Sequence, residues 1–176
     1  LDKKKPSYIG GILEMSNNRL YGFWGNLEEG LLTGNPQNEL KSSDSKDQFH
    51  YLYSSQETMK EFLVAMTGIQ MGSFMAFAAK FDFSKYKTLC DAGGALGALS
   101  VQVAKQHLHM KCISYDLPEV ASLAKAYISQ NGLSERVETG SGSFFDTIPK
   151  ADIIVMGNIL HDWSESEKLT LIKNVY

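Results

Sequence analysis

The change of hydrophobic period at Lys87 constrains this chain more than any other feature. Beyond it, apolar runs of strand length alternate with helix-period segments. Strands are predicted at residues 87–91, 110–115, 136–140 and 152–157, and helices at 97–108, 118–131 and 164–176. Strands that return through helices pair in parallel, so the expected class is α/β: a Rossmann-like parallel sheet with helices on both faces. Ligands of such sheets bind outside the carboxyl ends of the strands. Pro118 suits the first turn of its helix, and Gly132 suits the carboxyl-terminal cap of the same helix.

Residues 7–81 follow another rule. Ile12, Met15, Leu20, Phe23, Trp24, Leu27, Leu31 and Leu32 recur three or four apart until Gly34, Asn35 and Pro36 stop the run. Residues 34–50, rich in Asn, Ser, Asp and Lys, read as a polar connector. Helix resumes near Ser55, an N-cap with Glu57 in the first turn, and carries Phe62, Leu63, Met66, Ile69, Met71, Phe74, Met75 and Phe77, with Gly68 and Gly72 placed to kink it. The expected organisation is an all-α segment over 1–81 followed by the α/β domain over 82–176.

Composition narrows the function classes. With 17 Lys and Arg against 20 Asp and Glu, a net charge of −3, and no basic cluster beyond Lys3-Lys4-Lys5, nucleic acid is not an expected partner. Counted as uninterrupted runs, no apolar stretch approaches the roughly 20 residues that span a bilayer, and no charged leader precedes an apolar segment. No membrane association and a cytosolic location are therefore expected. Cys90 and Cys112 fall in predicted strands without C-x-x-C or metal-ligand spacing, so they read as buried free thiols, with neither disulfide nor metal site indicated. Leu1 and Tyr176 lie in patterns that do not look like natural ends, and a fragment of something larger is expected.

Two constellations carry chemistry. Asp91-Ala92-Gly93-Gly94-Ala95-Leu96-Gly97 joins the first predicted strand to its helix, where glycines let the backbone approach a ligand. In a dinucleotide G-x-G-x-x-G register the first glycine would be Ala92. In the D-x-G-x-G-x-G register of S-adenosylmethionine (SAM) methyltransferases only the middle glycine changes, to Ala95, so the second register fits better. Asp116 ends the second strand and suits ribose hydroxyls in either cofactor; a plain tight turn beside a solvated Asp116 is the bland alternative. Met156-Gly157-Asn158-Ile159-Leu160-His161-Asp162-Trp163 follows the fourth strand and faces the same crevice. An imidazole, with a reference pKa of about 6.5 against about 10 for a phenol, suits His161 to take a hydroxyl proton. A capping or packing role is the bland alternative.

Asp91-Ala92-Gly93-Gly94-Ala95-Leu96-Gly97, Tyr115-Asp116-Leu117-Pro118, Gly142-Ser143-Phe144-Phe145, Ile148-Pro149-Lys150-Ala151-Asp152 and Leu160-His161-Asp162-Trp163-Ser164 together resemble, in order and spacing, the plant-type O-methyltransferases and their bacterial relatives. The likeness is close over 87–176 and looser over 8–80, through Phe23-Trp24-Gly25 and Met66-Thr67-Gly68. It implies a SAM-dependent enzyme that methylates a hydroxyl of a small, often aromatic molecule and forms a homodimer through a helical and winged-helix region. Carried over by motif, Asp91, Gly93, Gly94, Gly97, Asp116, Leu117, Ser143 and Phe144 would bind the cofactor. His161 would be the base, Asp162 would orient or contact the substrate side, and Trp24, Met66 and Met71, with Phe23 and Phe74, would wall the acceptor pocket. Individually, these apolar helix positions suit a core.

The chain departs from that pattern in three places. The family's acid beside the adenine is Ser143, and loss of a charge-assisted hydrogen bond there would weaken cofactor binding by about 1–2 kcal/mol. Gly157 stands where many plant members carry a lysine. The family's later strands would lie beyond Tyr176 and most of its winged helix before Leu1, so residues 1–176 alone are expected to be incomplete as a catalyst and to fold poorly. A non-catalytic, SAM-binding or dimerising relative and a nicotinamide-dependent oxidoreductase are the rival readings, the latter disfavoured by Ala92.

Overall fold

The computed structural model describes residues 2–5, 8–42 and 48–176. Four helices come first: α1 Gly10–Met15, α2 Leu27–Thr33, α3 Gln48–Tyr53 and α4 Gln56–Lys80. They are followed by β1 Thr88–Ala92, α5 Ala98–Gln106, β2 Lys111–Asp116, α6 Ala121–Gln130, β3 Val137–Ser141, β4 Ile153–Val155 and α7 Glu165–Val175. The chain divides into two compact units, residues 1–69 and 70–176. The division falls inside α4, not at the 81/82 boundary read from the change of period. Packing explains the shift: Ala78 belongs to the core of the α/β unit, and Phe74 and Phe77 pack against it.

The first unit is helical but not one helix. Between α1 and α2 the backbone passes through a π-helical turn, Ser16–Leu20, and a 3-10 turn, Tyr21–Asn26. Gly34, in the left-handed region at φ 70°, ends α2 as the Gly-Asn-Pro signal predicts. Of the apolar positions in the first periodic run Met15 is buried, but Trp24, which suits a core, is 69% exposed, Leu31 77% and Leu32 80%. A three-to-four spacing identifies an apolar face without identifying what covers it. The expected connector, 34–50, lies partly outside the described residues. Arg19 bridges Glu39 at 2.7 Å and approaches Glu61 at 3.7 Å, which ties the π-helical turn to two later segments of the same unit.

Helix α4 runs unbroken through Gly68 and Gly72. A Cβ on Gly68 would stand 2.8 Å from the Tyr8 carbonyl oxygen, so close approach rather than kinking accounts for that glycine. By length and composition alone α4 could cross a membrane, which corrects the reading from uninterrupted runs. Thr67, Gln70 and Ser73 break the runs but lower the average little. At its carboxyl end the helix packs into the α/β core instead.

In the second unit the sheet order is β3-β2-β1-β4, all parallel. The predicted strands shift by one residue at each end, and β4 shortens to three. Leu89, Cys90 and Ala92 of β1 are fully buried, and Cys90 and Cys112 are buried free thiols. Burial pushes both thiols up to about 12. Gly132 takes φ 70° after α6, and Ser164 with Glu167 forms a capping box at the start of α7. At the amino end of the sheet Asp152 accepts the N–H groups of Lys87 (2.7 Å) and Thr88 (2.9 Å), while its own N–H donates to Thr88 Oγ1 (2.9 Å). Those backbone donors hold its carboxyl below the usual range. This clamp joins β4 to the central strand.

Candidate functional site

In the order β3-β2-β1-β4 the chain leaves β1 in one direction for β2 and returns on the other side as β4. A crevice therefore opens at the carboxyl ends of β1 and β4. The loop after β1 fills its floor. Gly93 (φ 80°), Ala95 (φ 50°) and Gly97 (φ 78°) are all left-handed, so the loop winds tightly before α5 begins at Ala98. A Cβ on Gly94 would lie 2.4 Å from Ser114 Oγ and 2.9 Å from the Asp91 carbonyl oxygen. One on Gly93 would lie 2.2 Å from Ile159 Cδ1. Gly94 is required by the backbone and side chain packed against it, and Gly93 by its left-handed backbone, since the Ile159 side chain could move aside. Ala95 is different: it holds a conformation that glycine adopts freely and alanine does not.

The loop's donors are engaged inside the chain. Gly93 N–H (2.8 Å) and Gly94 N–H (3.1 Å) both donate to the Tyr115 carbonyl, and Ala95 N–H donates to Asp116 Oδ2 (2.8 Å). The other Asp116 oxygen accepts from Leu117 N–H at 2.7 Å. A pyrophosphate needs such N–H groups directed outward; this loop directs its first three inward. Two carboxylates stand beside it instead, Asp91 and Asp116, at the tips of neighbouring strands. Burial, and then the charge of Asp116, raises the Asp91 carboxyl to about 7. Burial also raises Asp116, against the lowering effect of its Leu117 and Ala95 donors. Each Asp116 oxygen keeps acceptor capacity for a hydroxyl. The surroundings suit a ligand with hydroxyls and positive charge, which SAM has without the pyrophosphate that in a dinucleotide would need outward N–H groups.

The opposite wall comes from the β4–α7 loop. Asn158 turns it at φ 55°, and Ile159 then seats its side chain against Gly93, with Phe144 alongside. Neither Ile159 nor the conformation of Asn158 had a signal in the sequence, because a single apolar residue and a single Asn have no period. Two positions on, His161 Nε2 lies 3.2 Å from Asp162 Oδ1, with the imidazole 67% exposed. Burial raises the Asp162 carboxyl, and His161 lowers it. With Nε2–H turned to Asp162, the basic lone pair of a neutral imidazole is on Nδ1.

Of the residues expected at the site, Asp91, Gly93, Gly94, Gly97, Asp116 and Leu117 gather around the loop, and Phe144 borders Gly93. Ser143, in the place of the family's acid, accepts the Phe145 N–H at 3.2 Å and so shapes its own turn. Phe145 stacks edge-on against Trp163 at 4.7 Å, and Asn174 of α7 donates to the Phe144 and Phe145 carbonyls, which fixes that turn beside the His161 loop. Met71 is buried in the second unit; Trp24, exposed, and Met66, half-buried, lie in the first.

Comparison with known proteins agrees with this geometry. Residues 24–176 match the O-methyltransferase domain family. The tetracenomycin polyketide synthesis 8-O-methyl transferase TcmO of Streptomyces glaucescens is 30% identical over 177 residues, covering 100% of this chain and 51% of that protein. The crystal structure of human N-acetylserotonin methyltransferase in complex with SAM superposes with a TM-score of 0.89 at 26% identity, over 100% of this chain and 51% of that one. NcsB1, an O-methyltransferase from neocarzinostatin biosynthesis crystallised with SAM and 2-hydroxy-5-methyl naphthoic acid, gives 0.84 at 25% identity, over 98% and 53%. The chain thus spans about half the length of the relatives it matches. The sheet order, the glycine loop with Asp116, and a family match over 24–176 lead to one conclusion: the chain belongs to the O-methyltransferase family.

Proposed function

We propose that the protein is a SAM-dependent O-methyltransferase that moves a methyl group to a hydroxyl of a small aromatic molecule, working in the cytosol as a homodimer. One observation carries the reading: the loop directs the N–H groups of residues 93–95 inward, onto Tyr115 and Asp116, and stands beside two carboxyls, Asp91 buried and Asp116 half-buried. SAM, when bound, supplies an electrophilic sulfonium methyl. The residues of this chain do the rest. Asp116 accepts ribose hydroxyls, Leu117 and Phe144 border the adenosine, and Asp91 faces the positive end. His161 Nδ1 takes the acceptor's hydroxyl proton while Asp162 holds the ring. The aromatic acceptor is supported by the naphthoic acid bound to NcsB1 and by the polyketide assigned to TcmO. Within the second unit Met71 would wall its pocket. The apolar positions left open at residues 24, 31 and 32 support the homodimer, since exposed apolar patches of this kind mark interfaces.

Ser143 favours a second reading, a relative that binds SAM without turning it over, because the family's charged partner of the adenine is absent. One substitution separates the two. His161→Ala is expected to reduce methyl transfer by about 10²–10⁴ while calorimetric affinity for SAM stays within about twofold. Unchanged turnover would remove His161 as the base.

A further inference from the structure

We propose that Gln70 is a positioning residue of this site: its carboxamide stands in tight contact with the place that a Cβ at residue 157 would take and sets the course of the loop that carries Ile159 and His161. The inference rests on the methyltransferase reading above.

Gly157 is unlike the glycines of the floor. Its φ is not positive, so the backbone does not demand glycine there. A neighbour does. A Cβ on Gly157 would stand 3.1 Å from Gln70 Oε1 and 3.7 Å from Phe74 Cε1. Both neighbours belong to α4, whose following residue Met71 is buried and whose Phe74 packs against the core, so the helix that carries them is fixed. From that contact the loop runs without slack: Gly157 lies against Gln70, Asn158 turns at φ 55°, and Ile159 lies over Gly93. A change in height at Gly157 passes to Ile159 two positions on and to His161 four positions on. Gln70 is long enough to make the contact and carries no charge, so it supports the loop without altering the field beside Asp91 and Asp116. The close contact involves the far end of the Gln70 side chain, so a methyl at 157 is met by a shift of a few tenths of an ångström divided between the carboxamide and the loop, and the chain stays folded.

The test is a double-mutant cycle read by calorimetric titration with S-adenosylhomocysteine and by the Ile159 δ1-methyl NMR resonance. Gly157→Ala is expected to weaken binding about fivefold and Gln70→Ala about threefold, with unchanged melting midpoints. In the double variant the alanine at 157 becomes harmless: affinity stays within about twofold of Gln70→Ala alone, and the Ile159 resonance perturbed by Gly157→Ala returns to its Gln70→Ala position. Independent effects, about fifteenfold together, with the resonance still displaced, would overturn the proposal. If the wild-type protein binds no S-adenosylhomocysteine, the methyltransferase reading fails by itself, and the Ile159 resonance of the ligand-free proteins still shows whether residues 70 and 157 are coupled.

Discussion

The two units treat apolar residues in opposite ways. In the α/β unit Leu89, Leu99, Val101, Val103 and Met110 are fully enclosed by elements of the same unit. In the helical unit Leu52, Leu63 and Ala65 are enclosed, yet Trp24, Leu31 and Leu32 of the same short helical stretch are 69–80% exposed. Parallel strands arranged as β3-β2-β1-β4 need cover on their faces, and the returning helices α5 and α6, side by side on one face, supply it there as a by-product of the connection. Short helices joined by π and 3-10 turns have no such built-in cover. The periodic signal is equally clear in both regions; what differs is whether the topology supplies the partner surface. That difference supports a second copy of the chain as the partner of the first unit.

If the α/β unit is as closely built as this contrast implies, small additions to it should cost most. Gly94→Ala would force a methyl to within 2.4 Å of Ser114 Oγ and 2.9 Å of a backbone oxygen. It should lower stability by about 2–3 kcal/mol in urea unfolding; a loss near zero would break the comparison at its stronger side. Next comes the buried acid. Asp91 has its folded pKa raised from 3.8 to about 7, so between those values the folded state binds more protons than the unfolded one, and stability falls as pH rises from about 4 to about 7. Thermal melts across that range should show the slope in the wild type and a flatter profile in Asp91→Asn. A smaller gain is expected from Ala95→Gly, which relieves φ 50° at little packing cost: about 0.5–1 kcal/mol of added stability by calorimetry. Smallest of all should be Leu31→Ser combined with Leu32→Ser. Monomer stability should stay within about 0.5 kcal/mol, while sedimentation shifts from dimer to monomer. A loss above about 2 kcal/mol would show that the first unit encloses those residues after all.

Much of the second unit was legible because its signals are local. A glycine turn between strand and helix, Pro118 at a first turn, Gly132 at a cap and Ser164 with Glu167 in a capping box each state their conformation within a few residues. The D-x-G-x-G-x-G register also held, down to the left-handed backbone at Ala95 where the pattern asks for glycine. The rest depends on contacts between distant residues. Nothing near Ile159 announces that it will cover Gly93, and nothing near Gly157 announces Gln70, since these pairings exist only once β4 is beside β1 and α4 is docked. The place where the chain divides was hidden for a related reason. Helix α4 continues its period across residues 69 and 70 while its packing partners change. Ser143 stands out as a departure, but its acceptance of the Phe145 N–H depends on the turn that the folded chain makes there.

The Asp152 clamp has a consequence in time as well as in space. Pairing of β1 with β2 and of β2 with β3 closes loops of moderate length, whereas Leu89 must find Ile153 across 64 positions, the separation at which Asp152 also meets Thr88. Entropy makes the longest closure the slowest. The crevice is therefore expected to be the last part of the sheet to form, the glycine loop and Asp116 preceding the wall that bears His161. The two walls of the crevice are thus expected to form one after the other, with the Asp152 clamp, remote from both, fastening the second.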